Sequence, residues 1–443
     1  MADLDTSPDT SPDNSPGTST PAPPADSLAG LRLTVTTPWH PSVQRPFAGS
    51  FVQAGTRAVA ARFARAELFH TEDWTTPAQP LAARLVRRDR ARLADRVRER
   101  GGFAPRLSED GYWVTDIPTP VTPGQGYADW ALDHEAVLGE VLGGAGFDAD
   151  IVHGHVGIYG GWLALRFAPR GARVVVTEHA SFLGRILAQP RARGMYEQVL
   201  GRADAVICVS GLLRTRLAEA FPAHAEKIAV VPNVVDIESM PVRPVPVADL
   251  HRWIYVGKIA AAKGVPELLE AFATAARDEP KLSLTILGSG PLSGGLKDRA
   301  AQLGVAGRVE FLDPVEPQKV FGILHEHDLL VHPSKGETFG MTTVEAVGAG
   351  MPVLVTRCGG PQETLDGLDG LAGALIEVSD DPMVIVEGYR NLAARAGRLD
   401  LEYARAELVR RFGSASVAER LSDIYLGRTS AALAAAAPGE ERR

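Results

Sequence analysis

Two series of short apolar segments, separated by a proline-rich stretch, constrain the fold of this 443-residue chain most strongly. In each series the apolar runs alternate with stretches of helical character, which is typical of βα units and a parallel sheet. Most runs are continuous in Val, Ile and Leu, as expected of strands that are buried on both faces. The first series is LRLTVTT, DIVHGH, RVVVTEH, DAVICVS and IAVVPN, and the second is RWIYVG, LSLTILG, RVEFLD, DLLVHPS and PVLVTRC. The pattern predicts two doubly wound α/β domains.

The stretch from Asp236 to Arg252 carries three prolines and interrupts the periodic pattern, so we place the domain boundary there. Both chain ends have little to bury and are predicted to be disordered. The predicted divisions are residues 1–29 for an N-terminal tail, 30–236 for the N-terminal domain, 237–251 for the linker, 252–412 for the C-terminal domain, 413–428 for a helix that crosses back to the N-terminal domain, and 429–443 for a C-terminal tail.

The composition limits the classes of function. A formal net charge of -8 argues against a general nucleic-acid binder, which needs a basic stripe. No apolar run has the roughly 18 residues that a membrane-spanning helix requires, and the first residues lack the features of a signal peptide, so a cytoplasmic location is predicted. Cys208 and Cys358 cannot form a disulfide framework, and neither has a partner at metal-ligand spacing. The expected partners are small molecules.

Two lysines follow the first strand of the second series. Lys258 lies at the exit of that strand, and Lys263 directly precedes Gly264 and a helical stretch. Two ammonium groups beside a helix N-terminus favour a ligand with two negative charges, such as a diphosphate. The alternative is that both lysines are simply solvated in a surface loop. The next strand ends in a turn from Gly288 to Pro291, which either lets the backbone approach a ligand or serves only as a turn.

The segment HPSKGETFGMTTVEAVGAG places Glu337 and Glu345 on either side of a helix start. Carboxylates accept hydrogen bonds, and sugar hydroxyls donate them. The amides of the first helical turn and the helix dipole form an anion site between the two acids. A ligand with phosphates in the middle and hydroxyl-rich rings at both ends is a nucleotide sugar; the alternative is a pair of ordinary acids near a helix start. The residues expected to present these amides are Phe339, Gly340, Met341 and Thr342.

The ordered set GKIAAAKG, LGSGP and HPSKGETFGMTTVEAVGAGMPVLVTRCGGPQE resembles the retaining glycosyltransferases of family 4, including their E-x7-E motif. In the first half, FAGSFVQ resembles the glycine loop of that family, DIVHGH its strand-end histidine motif, and ADAVICVS with VVPNVVD its approach to the second domain. The resemblance extends over residues 31–428. It implies the GT-B fold, in which two Rossmann-like domains face each other across a deep cleft, the N-terminal domain binding the acceptor and the C-terminal domain the nucleotide-sugar donor.

The resemblance also implies roles for individual residues. Lys263 and Lys258 would hold the donor diphosphate, although the family often has arginine at the position of Lys258. Glu337 would bind hydroxyls of the transferred sugar, and Glu345 the ribose of the nucleotide. His155, the second histidine of HGH, would face the transferred sugar; the alternative is a hydrogen-bonded structural histidine at a strand end.

The glycines of the family motifs are expected to contact the donor. Gly49 would let the N-terminal loop approach the diphosphate, although the family commonly has two adjacent glycines where this chain has Ala-Gly-Ser. Gly288 and Gly290 would do the same from the C-terminal domain, beside the amides around Gly340. Asn233 and the Thr177–His179 segment match less sharply and are assigned to the cleft wall.

The implied reaction is transfer of a sugar, with retention of anomeric configuration, from a UDP- or GDP-sugar co-substrate to a hydroxyl acceptor. The acceptor is a natural product, polyol, saccharide or lipid-linked saccharide. No other cofactor is expected, and no metal, because the C-terminal domain lacks an Asp-x-Asp triplet. Two alternatives remain: a nucleotide-sugar epimerase and a non-catalytic nucleotide-sugar sensor. A phosphorylase is disfavoured, since no cofactor-lysine motif is found.

An arginine-rich segment, Leu81 to Gly102, bears on membrane contact. Its Leu81, Leu85, Leu93 and Val97 fall on one helical stripe. A basic amphipathic helix of this kind docks on an anionic membrane surface, here the inner face of the membrane. The alternative is an exposed helix with its apolar side on the core and its arginines in solvent, because acidic residues interrupt the basic charge.

Overall fold

The computed structural model of the chain describes residues 27–42, 45–75, 104–247 and 249–428. The predicted amphipathic segment 81–102 and almost all of both predicted tails lie outside these residues. One tail prediction needs correction: Leu28, assigned to the N-terminal tail, is 5% exposed and packs in the core of the N-terminal domain.

The first sheet has the strand order β3-β4-β2-β1-β5-β6-β7-β8. All neighbouring strands are parallel except the pair β3 and β4, which is antiparallel. The strands are β1 (Arg32–Thr37), β2 (Arg65–Thr75), β3 (Arg106–Leu107), β4 (Trp113–Val121), β5 (Ile151–His155), β6 (Arg173–Glu178), β7 (Ala205–Cys208) and β8 (Ile228–Val230).

The five strands predicted in the first half are β1, β5, β6, β7 and β8. The sequence analysis missed the other three for a physical reason. The strand β2 is rich in charged residues, and β4 contains Pro118 and Pro120, which argue against a central strand. They are accommodated because they lie toward one side of the sheet, where β4 pairs only with β2 and the two-residue β3.

The second sheet has the order β11-β10-β9-β12-β13-β14 and is parallel throughout. Its strands are β9 (Arg252–Val256), β10 (Ser283–Leu287), β11 (Val309–Leu312), β12 (Leu329–His332), β13 (Val353–Thr356) and β14 (Gly373–Ile376). The first five correspond to the predicted strands, and β14 was missed. Two parallel-sheet α/β domains are thus confirmed.

The helices are α1 (Ser50–Ala60), α2 (Tyr127–Val141), α3 (Trp162–Phe167), α4 (Leu183–Leu187), α5 (Pro190–Arg202), α6 (Gly211–Ala220), α7 (Val265–Asp278), α8 (Ser293–Gln302), α9 (Pro317–His325), α10 (Met341–Gly348), α11 (Gly360–Thr364), α12 (Pro382–Ala393), α13 (Leu401–Phe412) and α14 (Ser414–Tyr425). A π-helix spans Val156–Gly161. Short 3-10 helices span Pro222–Lys227, Ile237–Ser239, Ala261–Lys263, Ala306–Arg308 and Ala396–Arg398.

The two domains are joined by a continuous apolar cluster and by the last helix. One cluster of buried residues contains both Leu213 of the N-terminal domain and Phe339 of the C-terminal domain. The helix α14 packs in the N-terminal core, where the ring of Tyr425 lies 5.6 Å from that of Phe63. Among the described residues, no helix is both long and apolar enough to cross a membrane.

Candidate active site

Two adjoining cavities lie beyond the carboxyl ends of the strands of the second sheet, where ligands bind in open α/β sheets. The first cavity measures about 440 Å³ and is walled by both domains. The second measures about 620 Å³ and shares Val256, Gly257 and Lys258 with the first. The first is lined by Trp39, Ala48, Gly49, Phe51, His179, Ala180, Ser181, Phe182, Asn233, Val256, Gly257, Lys258, Lys263, His332, Glu337, Thr338, Phe339, Gly340, Met341, Thr342 and Thr343. The second is lined by Phe47, Ser50, Val256, Gly257, Lys258, Leu287, Gly288, Ser289, Gly290, Pro314, Val315, Val320, Phe321 and Glu345.

The start of helix α10 forms one wall of the first cavity. The four residues predicted to present amides, from Phe339 to Thr342, all line it. Gly340 caps the helix with φ 89°, a left-handed conformation that disfavours a side chain. The first amides of a helix have no partner within the helix, and together with the helix dipole they attract an anion. The structure thus brings the four residues together in one cavity wall, and anion binding there stays a prediction.

Lys263 and Glu337 form an ion pair in the first cavity. The Nζ atom of Lys263 lies 2.5 Å from Oε1 of Glu337, and both side chains are mostly shielded from solvent. Nδ1 of His332 lies 4.0 Å from the same oxygen, and burial lowers the pKa of that histidine. The sequence analysis assigned the lysine to the diphosphate and the glutamate to the sugar as separate contacts. In the structure the two groups form one unit.

Lys258 is exposed at the junction of the two cavities. Its backbone carbonyl accepts a hydrogen bond of 2.8 Å from the hydroxyl of Tyr255, which fixes the turn after β9. Its ammonium group forms no ion pair with any residue that the structure describes. It therefore provides a positive charge that is available between the two cavities.

Glu345 lines the second cavity, whereas Glu337 lines the first. The carboxyl of Glu345 is surrounded by protein atoms, and this desolvation raises its pKa to about 7. The pair of glutamates thus reaches two different cavities from one loop and helix. The separation follows from the chain path, because Glu337 precedes the cap of α10 and Glu345 lies on its second turn.

The glycines of the site are required by contacts within the protein. A Cβ on Gly288 would lie 1.9 Å from the carbonyl oxygen of Gly257, and one on Gly290 would lie 2.1 Å from that of Ile259. A Cβ on Gly49, which has φ 69°, would lie 2.2 Å from the carbonyl oxygen of Trp39. These glycines let neighbouring loops pack closely together. Their direct role is to shape the cavity walls that they line.

His155 lies behind the wall of the first cavity and does not line it, so its expected contact with the transferred sugar stays a prediction. Its Nδ1 lies 2.9 Å from Nε2 of His179, and His179 is the histidine in the cavity wall. Behind them, His153 Nδ1 lies 2.8 Å from the hydroxyl of Tyr425. Burial lowers the pKa of His179 and His153 to about 3 and that of His155 well below its usual value. The three histidines are therefore neutral near pH 7.

Two residues behind this wall hold it in place: Glu178, which the sequence analysis assigned to the cleft wall without a role, and Val156, which it did not single out. Glu178 is fully buried, and its carboxylate accepts hydrogen bonds from the amides of Gly157, His179 and Ala180 and from the Tyr196 hydroxyl, at 2.6–3.1 Å. Four donors satisfy the charge of this carboxylate and fix the loop that carries His179. The TEH motif contains this glutamate, but nothing in its neighbours in the sequence indicates these partners.

Val156 is the second of these residues. Its φ of 66° is rare for a β-branched residue, and it directs the chain from β5 into the π-helix. A Cβ on Gly160 of this π-helix would lie 2.2 Å from the carbonyl oxygen of Thr36. The tight turn thus explains why His155, the residue before Val156, is held against the sheet and away from the first cavity.

One group among the described residues has the spacing of metal ligands, and it lies outside both cavities. Its members are His40, His70 and Asp116. The carboxylate of Asp116 already accepts hydrogen bonds from Nδ1 of His70 and from Arg106. Because these contacts use the carboxylate and place a guanidinium beside it, the group fits a structural cluster better than a cation site.

The fold is that of the GT-B class, two parallel-sheet α/β domains on either side of a cleft. Sucrose-phosphate synthase from Thermosynechococcus elongatus superposes with a TM-score of 0.68 and 15% identity, over 90% of this chain and 98% of that chain. HepE from Anabaena, solved in complex with UDP, superposes with a TM-score of 0.64 and 16% identity, over 90% of this chain and 100% of that chain. At these identities the likeness concerns the fold.

Family models place the chain more narrowly. Residues 245–398 match the model described as Glycosyl transferases group 1, and residues 81–239 match Glycosyltransferase Family 4. The chain belongs to these glycosyltransferases, as the sequence motifs predicted. The match of both halves agrees with the two-domain organisation around the cleft.

Curated relatives include two differently named enzymes. D-inositol 3-phosphate glycosyltransferase from Corynebacterium urealyticum is 28% identical over 261 residues, which are 53% of this chain and 61% of that protein. Glycogen synthase from Mycobacterium tuberculosis is 27% identical over 300 residues, which are 62% of this chain and 68% of that protein. The matched part thus spans about three fifths to two thirds of these relatives.

Proposed function

We propose that the protein transfers a sugar from a nucleotide-diphosphate-sugar to a hydroxyl group of an acceptor, with retention of anomeric configuration. One observation carries the proposal. Two adjoining cavities share Lys258, and each receives one glutamate of the pair, Glu337 in the first and Glu345 in the second. A donor with a sugar at one end, a nucleoside at the other and a diphosphate between them matches this layout.

The walls of the cavities support one orientation of the proposed donor. Pro314, Val315 and Phe321 give the second cavity an apolar side suited to a nucleobase, while Glu345 accepts hydrogen bonds from ribose hydroxyls. The diphosphate lies between Lys258, Lys263 and the first amides of α10. The sugar occupies the first cavity beside Glu337. UDP- and GDP-sugars are the proposed donors, and the UDP complexes of HepE support UDP as the first to test.

Catalysis in this proposal is electrostatic. Breaking the anomeric bond adds negative charge to the diphosphate and positive charge to the sugar, so cations and helix amides near the phosphates lower the barrier. The departing phosphate takes the proton of the acceptor, and no protein base is assigned. The proposed reaction uses no metal and no further cofactor. Activity that survives chelation by EDTA supports this part, and activity restored only by added Mg²⁺ or Mn²⁺ contradicts it.

The proposed acceptor carries its hydroxyl on a compact ring. Trp39, Phe51 and Phe182 form an aromatic wall of the first cavity on the N-terminal side, with ring-centroid separations of 6.1 and 6.0 Å. Such a wall packs against the apolar face of a sugar or cyclic polyol. Relatives named for D-inositol 3-phosphate and glycogen make polyols and saccharides the first acceptors to test. The cytoplasmic location and the membrane contact of residues 81–102 stay predictions from the sequence.

The test combines calorimetry with turnover. Titration with UDP-, GDP-, TDP- and ADP-sugars identifies the donor, and Glu345→Gln is expected to weaken its binding about tenfold or more. Glu310→Gln, an exposed acid on the same domain, is the matched control. Absence of binding by every nucleotide sugar would overturn the proposal.

Product analysis separates the transferase from its alternatives. A transferase releases nucleoside diphosphate only with an acceptor in stoichiometric glycosylation, and NMR of the product gives the anomeric configuration. An epimerase consumes donor without an acceptor, and a sensor binds donor without turnover. Inversion of the anomeric configuration in the product would contradict the proposed retention but not the proposed sugar transfer.

A further inference from the structure

A third cavity, of about 280 Å³, lies at the junction of the two domains and the C-terminal helices. Its only lining residue in common with the first cavity is Phe339. We call it the junction cavity. It is lined by Val209, Ser210, Val230 and Pro232 of the N-terminal domain, Phe339, Gly360, Glu363 and Thr364 of the C-terminal domain, and Arg410, Arg411, Phe412 and Arg420 of the last two helices.

Three arginines give this cavity a positive wall. Arg410 and Arg411 share one partner, the carboxylate of Glu407, at 2.6–2.8 Å. Arg420 makes no hydrogen bond or ion pair with any residue in the described part of the chain. Burial and the neighbouring Arg410 both lower the pKa of Arg420, as expected of a guanidinium group that has no carboxylate partner. Three guanidinium groups against two carboxylates, the shared one of Glu407 and that of Glu363, leave an excess of positive charge.

Glu363, the acidic residue that lines the junction cavity, forms its hydrogen bonds with groups other than the three arginines. Glu363 accepts hydrogen bonds at 2.6 and 2.8 Å from the amides of Gly211 and Leu212, the first residues of α6. Its charge is therefore directed to a helix N-terminus in the other domain and not to the arginines. An anion in the cavity would meet guanidinium groups without displacing an existing carboxylate contact of Arg420.

The remaining walls and the volume restrict the ligand to a small molecule. Phe339, Phe412 and Val209 provide apolar surface, and the rings of the two phenylalanines meet edge to face at 5.2 Å. A volume of about 280 Å³ lies at the lower end for ligand pockets. Planar guanidinium groups bind the oxygens of a phosphate with two parallel hydrogen bonds more readily than lysine does.

We propose that the junction cavity is a second ligand site, separate from the cleft, for a small phosphate ester. The arginines bind the phosphate, and the apolar wall packs against the carbon skeleton. Because the walls come from both domains, the bound ester holds the two domains in one relative position. Contact with Phe339 places it directly behind the loop that carries Glu337. The inference concerns binding and stands whether or not the cleft binds a nucleotide sugar.

The test uses glycerol 3-phosphate and inorganic phosphate as probes, in calorimetric titrations of the full chain at constant ionic strength set with sodium chloride. The wild type is expected to bind glycerol 3-phosphate saturably. Arg420→Gln is expected to bind it at least tenfold more weakly. Arg410→Gln, whose side chain is largely exposed and therefore not needed for folding, is expected to bind it several-fold more weakly. Arg390→Gln, an exposed arginine of α12, is the matched control and should bind as the wild type does.

Lys258→Gln distinguishes this site from the cleft, since phosphate could also bind the lysines there. The proposal requires that Lys258→Gln retain wild-type affinity for glycerol 3-phosphate. It is overturned if neither probe binds saturably, if both arginine variants bind as tightly as the wild type, or if Lys258→Gln alone abolishes binding. Circular dichroism of each variant verifies that it is folded. If Arg420→Gln does not fold, the affinity of Arg410→Gln for glycerol 3-phosphate decides the test.

Discussion

Nζ of Lys263 lies 2.5 Å from Oε1 of Glu337, so residues 74 positions apart form one charge-paired unit in the first cavity. Each group would carry an uncompensated charge in a partly buried place if the other were removed. The pair also fixes the lysine near the start of α10 before a ligand arrives. The proposed donor must therefore share this pair, with its phosphate beside the ammonium and its sugar hydroxyls beside the carboxylate.

The two members of the pair are expected to respond differently to substitution. Lys263→Met should weaken binding of the free nucleoside diphosphate and lower kcat/KM about 100-fold, because a cation beside the diphosphate is worth about 2–3 kcal/mol. Glu337→Gln should leave nucleoside diphosphate affinity within about threefold, since that ligand has no sugar for it to contact, and should lower kcat/KM by a similar factor. Calorimetry with the nucleoside diphosphate and steady-state kinetics with the full donor measure both quantities.

Glu310→Gln is the matched control for these variants and should change neither quantity. Equal loss of nucleoside diphosphate affinity in Lys263→Met and Glu337→Gln would contradict the assignment of the glutamate to the sugar. It would mean that the ion pair acts only by positioning the lysine.

The elements that the sequence predicted well are those in which local pattern and burial agree. Buried strands such as β9 and β12 read as continuous apolar runs, and their carboxyl ends carry the polar motifs of the cleft. The strands β2 and β4 were missed because charges and prolines hide their extended conformation. Their place in the sheet depends on pairing with β1, which no local pattern records.

The sequence could predict the part of the candidate site that one loop and the following helix form. It could not predict the parts that depend on contacts between segments far apart in the chain. The amides around Gly340 follow from the helix start alone. His179 lies in the cavity wall, to which the sequence analysis assigned its segment, whereas His155 lies behind that wall. The position of His155 depends on the positive φ of Val156, a conformation that a β-branched residue disfavours. The anchoring of α6 by Glu363 joins residues about 150 positions apart, and nothing adjacent to either segment indicates it.

The raised pKa of Glu345 predicts a pH dependence of donor binding. With a pKa of about 7, this carboxyl is mostly protonated at pH 6 and mostly ionised at pH 8. The ionised form accepts hydrogen bonds from both ribose hydroxyls, so affinity for the nucleotide sugar should rise about tenfold from pH 6 to pH 8. A nucleotide sugar is the right probe because its diphosphate does not titrate in this range, and calorimetry at the two pH values measures the change.

Glu345→Gln should bind with nearly the same affinity at both pH values, which serves as the control. The free protein gives an independent measurement. Because the folded pKa lies above the ordinary value of 4.5, the folded state holds a proton that the unfolded state has lost, and stability should fall as pH rises from about 4.5 to 7. The glutamine variant should lack this contribution in urea titrations. A donor affinity that falls from pH 6 to pH 8 in the wild type would contradict the role of the carboxylate.

Glu363 is expected to stabilise the junction of the domains. Its two hydrogen bonds satisfy amides at the N-terminus of α6, and Glu363→Ala leaves them unpaired. We expect the free energy of unfolding in urea to fall by about 2 kcal/mol. Glu402→Ala, an exposed acid in the first turn of α13, is the control and should change stability little. Equal losses of unfolding free energy in the two variants would show that the carboxylate of Glu363 does not stabilise the junction of the domains.

His179 is expected to be the histidine on which turnover depends. It lines the first cavity, whereas His155 holds it from behind through a hydrogen bond of 2.9 Å between their ring nitrogens. His179→Ala should lower kcat about 100-fold and leave nucleoside diphosphate affinity unchanged, because the imidazole lines the cavity in which the proposed donor places its sugar. His155→Ala should lower kcat less, through loss of positioning alone. His224→Ala, in a 3-10 helix away from the cavity, is the control.

The protonation state of the histidines provides a second readout. Burial lowers the pKa of His179 to about 3, so it stays neutral from pH 5 to pH 8 and acts as a hydrogen-bonding group and not as a cation. The pH profile of kcat should therefore contain no ionisation that disappears in His179→Ala. An ionisation near pH 6 that is lost in this variant would mean that the cleft solvates the ring during turnover, and the histidine would then act as an acid or base. If the pH profile of kcat lacks such an ionisation and kcat still falls in His179→Ala, His179 acts as a neutral hydrogen-bonding group that contacts the sugar.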